Sequence, residues 1–178
     1  MPRYIALLRA INVGGHTVKM DVLRQHFEAL GLTQVETFIN SGNVIFTARA
    51  GRAGSLEKKI EAQLLAALGY DVTTCLRTPA ELAAVAAYQA FAAPPREGGQ
   101  YVAFVQAPLG PDVLARLAPF QTEQDQFAVH GREVYWWRDT GFSDSPLSGS
   151  GKFEKLLSVP ATVRNITTVR KLAAKYPA

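Results

Sequence analysis

YIALLRAINVGG, residues 4–15, is the stretch that decides the fold. Tyr4 to Leu8 is a continuous apolar run of strand length. Arg9 and Asn12 stand where that run meets the Gly14-Gly15 turn, and an amphipathic segment follows at once. A strand with a polar end, then a glycine turn feeding a helix, is the layout of many ligand sites in α/β structures.

Working outward, the next segment runs from about Lys19 to Leu30. It places Met20, Leu23, Phe27 and Leu30 on one helical face. Gly31 can close that helix, because a residue without Cβ reaches φ > 0 at no steric cost. Val35 to Ile39 and Val44 to Thr47 read as strands. Asn40-Ser41-Gly42-Asn43 joins them as a tight hairpin of residues that tolerate left-handed dihedrals. A second helix starts near Ser55 with Leu56, Ile60, Leu64 and Leu68 inward and Gly69 at its end, and Val72 to Arg77 is a fourth strand. The order β-α-β-β-α-β is ferredoxin-like, which predicts antiparallel neighbours in the spatial order 4-1-3-2. It also predicts that Arg9, Asn12, Gly14 and Gly15 meet Asn40, Ser41 and Asn43 at one end of the sheet.

Thr78-Pro79-Ala80-Glu81 has the pattern of a capping box with proline in the first helical position. Leu82 and Val85 supply the apolar face of that helix. Residues 91–99, FAAPPREGG, read as a linker, because paired prolines and glycines end regular structure. Tyr101 to Gln106 is a strand and Pro111 to Ala118 a helix stopped by Pro119. Gln126 to His130 and Glu133 to Arg138 form a second hairpin across Gly131-Arg132. The second half thus repeats β-α-β-β and then departs from it. Residues 139–150, DTGFSDSPLSGS, form a polar loop of a length that is often functional. A short helix spans Lys152 to Leu157, and a last helix runs from about Thr167 to Lys175. The expected fold is α+β. Two pseudo-repeated ferredoxin-like halves with antiparallel sheets, 1–78 and 100–178, are joined by a helix and linker over 79–99, and the second ends in a C-terminal helical extension.

At 178 residues the chain suffices for one domain, or for two small subdomains sharing a core. Its 48% hydrophobic content argues against disorder. No apolar run approaches the roughly 20 residues that span a bilayer, and the N-terminus has no signal-peptide pattern, so no membrane partner is expected. Cys75 is the single cysteine, which excludes an internal disulfide and fits a reducing cytoplasm. The net charge is a modest +4, but it is unevenly placed. Residues 151–178 carry six basic side chains against Glu154, while the rest is nearly neutral. A basic tail on a neutral body suits an anionic partner such as nucleic acid, or is simply a solvated helix face.

Two constellations can carry chemistry. In the first, Arg9, Asn12, Gly14, Gly15, Ser41 and Asn43 put a guanidinium, two amides, a hydroxyl and bare backbone N–H groups beside a helix N-terminus. Such a set can bind an anion, although GG and NSGN are also ordinary turn residues. His16 in the same loop can titrate near neutral pH. In the second, Arg164, Asn165, Thr167 and Thr168 gather donors at the start of the last helix, where Asn165 or Thr167 is the natural N-cap. Ser148 to Lys152, SGSGK, fails as a P-loop because Pro146 stands where the first glycine is required and Phe153 follows the lysine. Lys152 remains as a single loop-borne charge. Tyr135-Trp136-Trp137 raises base stacking, with alternation placing Tyr135 and Trp137 on one face and Trp136 on the other. The third strand, VIFT, lacks the Gly-aromatic signature of RNA-recognition motifs. No Cys/His metal spacing, HExxH or GxSxG elbow occurs, so no metal, cofactor or catalytic residue is assigned.

LLRAINVGG, the MDVLRQHFEALG helix, FINSGNVIF and the C-terminal ATVRNITTVRKLA together resemble a family of uncharacterised bacterial proteins, the domain of unknown function 1697. The family commonly has Gly where this chain has Ala10, and Gln where it has Asn40. The resemblance implies an α+β fold with ferredoxin-like halves and no assigned biochemical role. Arg9, Asn12, Ser41, Asn43, Lys152, Arg164 and Asn165 lie inside the shared motifs.

The leading reading is a cytoplasmic anion-binding protein whose ligand is a phosphate on a nucleotide or nucleic acid. Arg9 and Arg164 are its clamps, Asn12, Asn43 and Asn165 its orienting donors, and Lys152 a contributor. The alternatives are a small enzyme acting on a phosphorylated or carboxylated metabolite between the halves, and a structural protein that works by oligomerisation.

Overall fold

The computed structural model describes residues 1–12, 14–92, 99–148 and 151–178. Val13, residues 93–98 of the expected linker and residues 149–150 of the polar loop and SGSGK segment lie outside the described residues. The chain divides into two compact units, residues 1–83 with 172–178, and residues 84–171.

The first unit contains β1 (Arg3–Leu8), α1 (Met20–Glu28), β2 (Thr33–Thr37), β3 (Asn43–Thr47), α2 (Ala53–Leu68) and β4 (Thr74–Arg77). Its sheet runs β2-β3-β1-β4 with every neighbour antiparallel, as the element order predicts. Strand side chains alternate between faces, so Tyr4, Ala6 and Leu8 point one way and Ile5 and Leu7 the other. The first set packs with Leu23 and Phe27 of α1 and Ile60 and Leu64 of α2. Ile5, Leu7 and Ile45 on the opposite face are also fully buried. This explains why YIALL reads as a continuous apolar run rather than an alternating one. At the outer edge, two glutamates of α2 satisfy backbone N–H groups of β4. Glu61 Oε1 accepts from Thr74 at 2.9 Å and Glu57 Oε1 from Leu76 at 2.8 Å. Carboxylates bound in this way blunt a strand edge that is otherwise open to pairing.

After β4 comes α3 (Pro79–Ala87), which opens with the expected capping box. The Thr78 backbone N–H donates to Glu81 Oε2 at 2.8 Å, and the Glu81 N–H donates to Thr78 Oγ1 at 3.2 Å. The last turn of α3 already belongs to the second unit.

The second unit continues with β5 (Gly99–Phe104), α4 (Asp112–Leu117) and a 3-10 turn at Ala118–Phe120. The hairpin β6 (Asp125–His130) and β7 (Glu133–Arg138) follows, then α5 (Lys152–Leu157), β8 (Thr162–Asn165) and α6 (Ile166–Lys175). Here the sequence expectation needs correction. The second half does not depart from the first, because β8 completes it and the sheet runs β6-β7-β5-β8 in the same arrangement. The segment Thr162–Asn165, which contains Arg164 and Asn165 of the expected donor cluster, does not belong to the start of a helix. It is instead a short edge strand with Thr162 and Arg164 buried and Asn165 exposed, paired to β5 through Val102 and Arg164. Its edge is closed as in the first unit, by Glu154 Oε1 accepting from the Ala161 N–H at 2.8 Å.

The duplication reaches single positions. Tyr4-Ile5-Ala6-Leu7 is echoed by Tyr101-Val102-Ala103-Phe104. Ile5 lies opposite Ile45 and Arg77, and Val102 lies opposite Tyr135 and Arg164. Trp136 anchors the second core, with ring centroids 5.2 Å from Phe127 and 5.0 Å from Phe153. Its indole N–H donates to Asp125 at 2.6 Å. Cys75 is buried in β4 and takes part in no disulfide.

Candidate functional site

In the first unit the predicted meeting of the two loops takes place. Asn12 Nδ2 donates to Asn40 O at 3.2 Å, and the Leu8 N–H donates to Gly42 O at 2.8 Å. A Cβ on Gly42 would lie 3.0 Å from Ile11 Cβ, and its φ is +72°, so this position requires glycine. The amides hold the chain itself. Asn12 Oδ1 accepts from the Val18 N–H at 2.6 Å, so both ends of that side chain are anchored to backbone. Asn43 is fully buried and donates to Phe38 O at 3.0 Å and Ser41 Oγ at 2.8 Å. Ala10, Asn12 and Ile39 are non-glycine residues with φ of 60°, 55° and 52°. For branched Ile39 such a conformation is a true outlier. Gly14 and Gly15 are exposed, also with positive φ, and Arg9 is half-buried. His16 stacks on Tyr70 with centroids 3.8 Å apart, and burial pushes the Tyr70 phenol above its ordinary pKa.

In the second unit the predicted residues separate by role. Arg164 is 8% exposed, and its Nη1 donates to Thr162 Oγ1 at 2.7 Å and Val163 O at 3.0 Å. Its counterpart Arg77, unnoticed in the sequence, is 1% exposed and donates to Leu76 O at 2.8 Å. Asn165 is the N-cap of α6, accepting from the Thr167 N–H at 2.8 Å. Lys152 places Nζ 5.3 Å from the Phe120 ring centroid.

Asn165 and Thr167 open onto a cleft of about 680 Å³ lying wholly within residues 86–170. Arg170, one turn further along α6, also lines it. Among the described residues nothing pairs with the Arg170 guanidinium. Gln100 of β5, Trp137 of β7 and Tyr88 just past α3 complete the walls, with small alanines such as Ala86 and Ala90 between them. Trp137 is 3% exposed and, unlike Trp136, its indole N–H makes no hydrogen bond among the described residues. Tyr88 is held by stacking on His130 at 4.3 Å and by a tilted contact with Tyr135 at 4.9 Å. Arg164, Thr168 and Lys152 do not line this cleft.

The two trailing helices start differently. Asn165 and Thr168 occupy, by strand register, the places of Thr78 and Glu81. In α3 the protein's own carboxylate sits at the helix N-terminus, where free N–H groups and partial positive charge favour an anion. In α6 the first turn holds no acidic residue. That start, capped only by the neutral Asn165 amide, adjoins a cleft lined by Arg170, which pairs with no described residue.

Sequence reasoning missed Arg170, Gln100 and Tyr88. The signal for Arg170 was its i, i+3 spacing from Thr167, which puts both on one helical face. Among the described residues, no group of three or more His, Cys, Asp or Glu side chains is placed to hold a metal, and no helix is long and apolar enough to cross a membrane.

The fold is thus a duplicated α+β architecture with two four-stranded antiparallel sheets. The chain belongs to the family of proteins of unknown function designated domain of unknown function 1697, whose match covers residues 1–135. It is similar to the solved structure of the conserved bacterial protein SP0830 from Streptococcus pneumoniae. The identity is 27% and the TM-score 0.75, over 100% of this chain and 99% of that one. No curated protein matches.

Proposed function

We propose that this is a cytoplasmic anion-binding protein, and that its ligand carries a phosphate of a nucleotide or nucleic acid into the cleft at the start of α6. The observation that carries this reading is the contrast between the helix starts. Where Glu81 at the start of α3 accepts from the N–H of the cap residue Thr78, the first turn of α6 has no acid, and Arg170, unpaired among the described residues, lines the cleft. Charge-assisted hydrogen bonds from a guanidinium and backbone N–H groups are the strong ones, and a phosphate oxygen is the acceptor they suit. Thr167 adds a hydroxyl and Trp137 an apolar wall. The single buried cysteine supports a reducing compartment.

The test is calorimetric titration of the whole chain with inorganic pyrophosphate and with a nucleoside monophosphate, for wild type and Arg170→Ala. Saturable binding that weakens about ten-fold or more in Arg170→Ala is expected, since one charge-assisted contact accounts for at least that factor. Absence of binding in the wild type, or equal binding in the variant, overturns the assignment.

A further inference from the structure

We infer that the cleft takes a mononucleotide, with its phosphate at the start of α6 and its base against Trp137 and Tyr88. This rests on the anion-binding reading and narrows it to one ligand class. The lining divides by chemistry. Asn165, Thr167 and Arg170 form one group, on β8 and the start of α6, whereas Tyr88 and Phe91 supply aromatic surface beside the nearly buried Trp137. A ligand that satisfies both has an anion at one terminus and a flat, partly apolar group at the other. Bases meet that description, because every base has a π-face that stacks on aromatic side chains.

Three further observations favour a nucleotide over its neighbours in chemistry. The cleft, at about 680 Å³, falls within the roughly 300–1,000 Å³ of small-molecule sites. The Trp137 indole N–H has no partner among the described residues, so a donor is available to a base edge or ribose oxygen. The third observation concerns cations. A polymer needs several of them spaced along its backbone, and among the described residues Arg170 is the one arginine or lysine that lines the cleft. Arg164 is buried with Thr162, and Lys175 lies 3.8 Å from Glu36 in the first unit. Lys152 rests on Phe120.

The experiment titrates the whole chain, by calorimetry and tryptophan fluorescence, with AMP, GMP, CMP, UMP, ribose 5-phosphate and a ten-residue oligonucleotide. At least one nucleotide should bind about ten-fold or more tightly than ribose 5-phosphate, the factor that one stacked base contributes. Trp137→Leu should erase that preference while keeping the ribose 5-phosphate affinity. Because Trp137 is buried, Tyr88→Ala at a partly exposed position is the second variant, expected to reduce the preference several-fold. Equal affinity for all nucleotides and ribose 5-phosphate overturns the mononucleotide inference but leaves the anion site standing. No binding by any probe removes both. Tighter, steeply salt-dependent binding of the oligonucleotide makes the ligand a strand and overturns the inference.

Discussion

Two helices, α3 and α6, leave their sheets from register-equivalent strands, after Arg77 and Arg164 respectively, yet their first turns have opposite electrostatic fates. The start of α3 is closed by the Thr78–Glu81 box, with the carboxylate 2.8 Å from the Thr78 nitrogen. The start of α6 is capped by the neutral amide of Asn165, and Thr168 stands where the acid stood. The neighbouring strand position changes in parallel. Thr47 lies opposite Arg3 and bonds Gln34 at 2.7 Å, whereas Trp137, in the same register position opposite Gln100, lines a cleft. A duplicated fold carries its own control. One copy shows how the position looks when the chain satisfies itself, and the other shows what remains when it does not.

The comparison can be broken or sharpened by substitution. The largest effect tests the frame that both copies share. Glu57→Ala leaves the Leu76 N–H without its acceptor and should cost about 1–3 kcal/mol in chemical denaturation. Glu154→Ala should cost a similar amount at the Ala161 N–H of the other edge. Changes below about 0.5 kcal/mol at both sites contradict edge closure by these carboxylates. Next, Thr168→Glu gives α6 the acid of α3. It should weaken nucleotide or pyrophosphate binding about ten-fold while holding or raising the melting temperature, because the new carboxylate competes for the helix start. Undiminished binding sinks the idea that an open helix start is what the ligand uses. Glu81→Ala, the reverse change, should destabilise by about 1 kcal/mol, readable as a shift in the urea midpoint. The smallest effect concerns Tyr176, whose hydroxyl donates to Glu36 at 2.8 Å. Burial, aided by Glu36 and opposed by Lys175, raises the phenol above its ordinary value. A folded value above the unfolded one means that the clasp contributes fully below about pH 10. Its contribution is lost as pH rises through the folded value. Wild-type stability should therefore fall by a fraction of 1 kcal/mol more than that of Tyr176→Phe between pH 9 and 11.

Much of the frame was legible because it rests on periodicity. The 3.6-residue spacing of Leu23 and Phe27 located α1, and alternation put Trp136 on one face of its strand and Tyr135 and Trp137 on the other, although which face is core was not legible and all three are buried. The capping box was readable because its chemistry is local to Thr78 and Glu81. β8 was misread for a physical reason. A four-residue edge strand containing Thr162, Arg164 and Asn165 has the composition of a helix cap, and only pairing with β5 distinguishes it. Glu57, 4% exposed, reads as a solvated helix charge until Leu76 is placed beside it. The cleft was invisible because Tyr88, Gln100, Trp137 and Asn165 come from segments far apart in sequence. Asn12 and Asn43 were correctly placed at one sheet end, but a sequence does not show that their amides grip backbone.

The assignment of residues 172–178 to the first unit has a consequence in time. Tyr176 closes onto Glu36 across 140 residues of chain. A ribosome delivers residues one by one, and the sheet of β1 to β4 is complete long before that tyrosine is made. The half synthesised first is therefore the last to be finished. During elongation it waits with Glu36 and Phe38 lacking their eventual partners, an interval in which a nascent chain is open to aggregation or to chaperones.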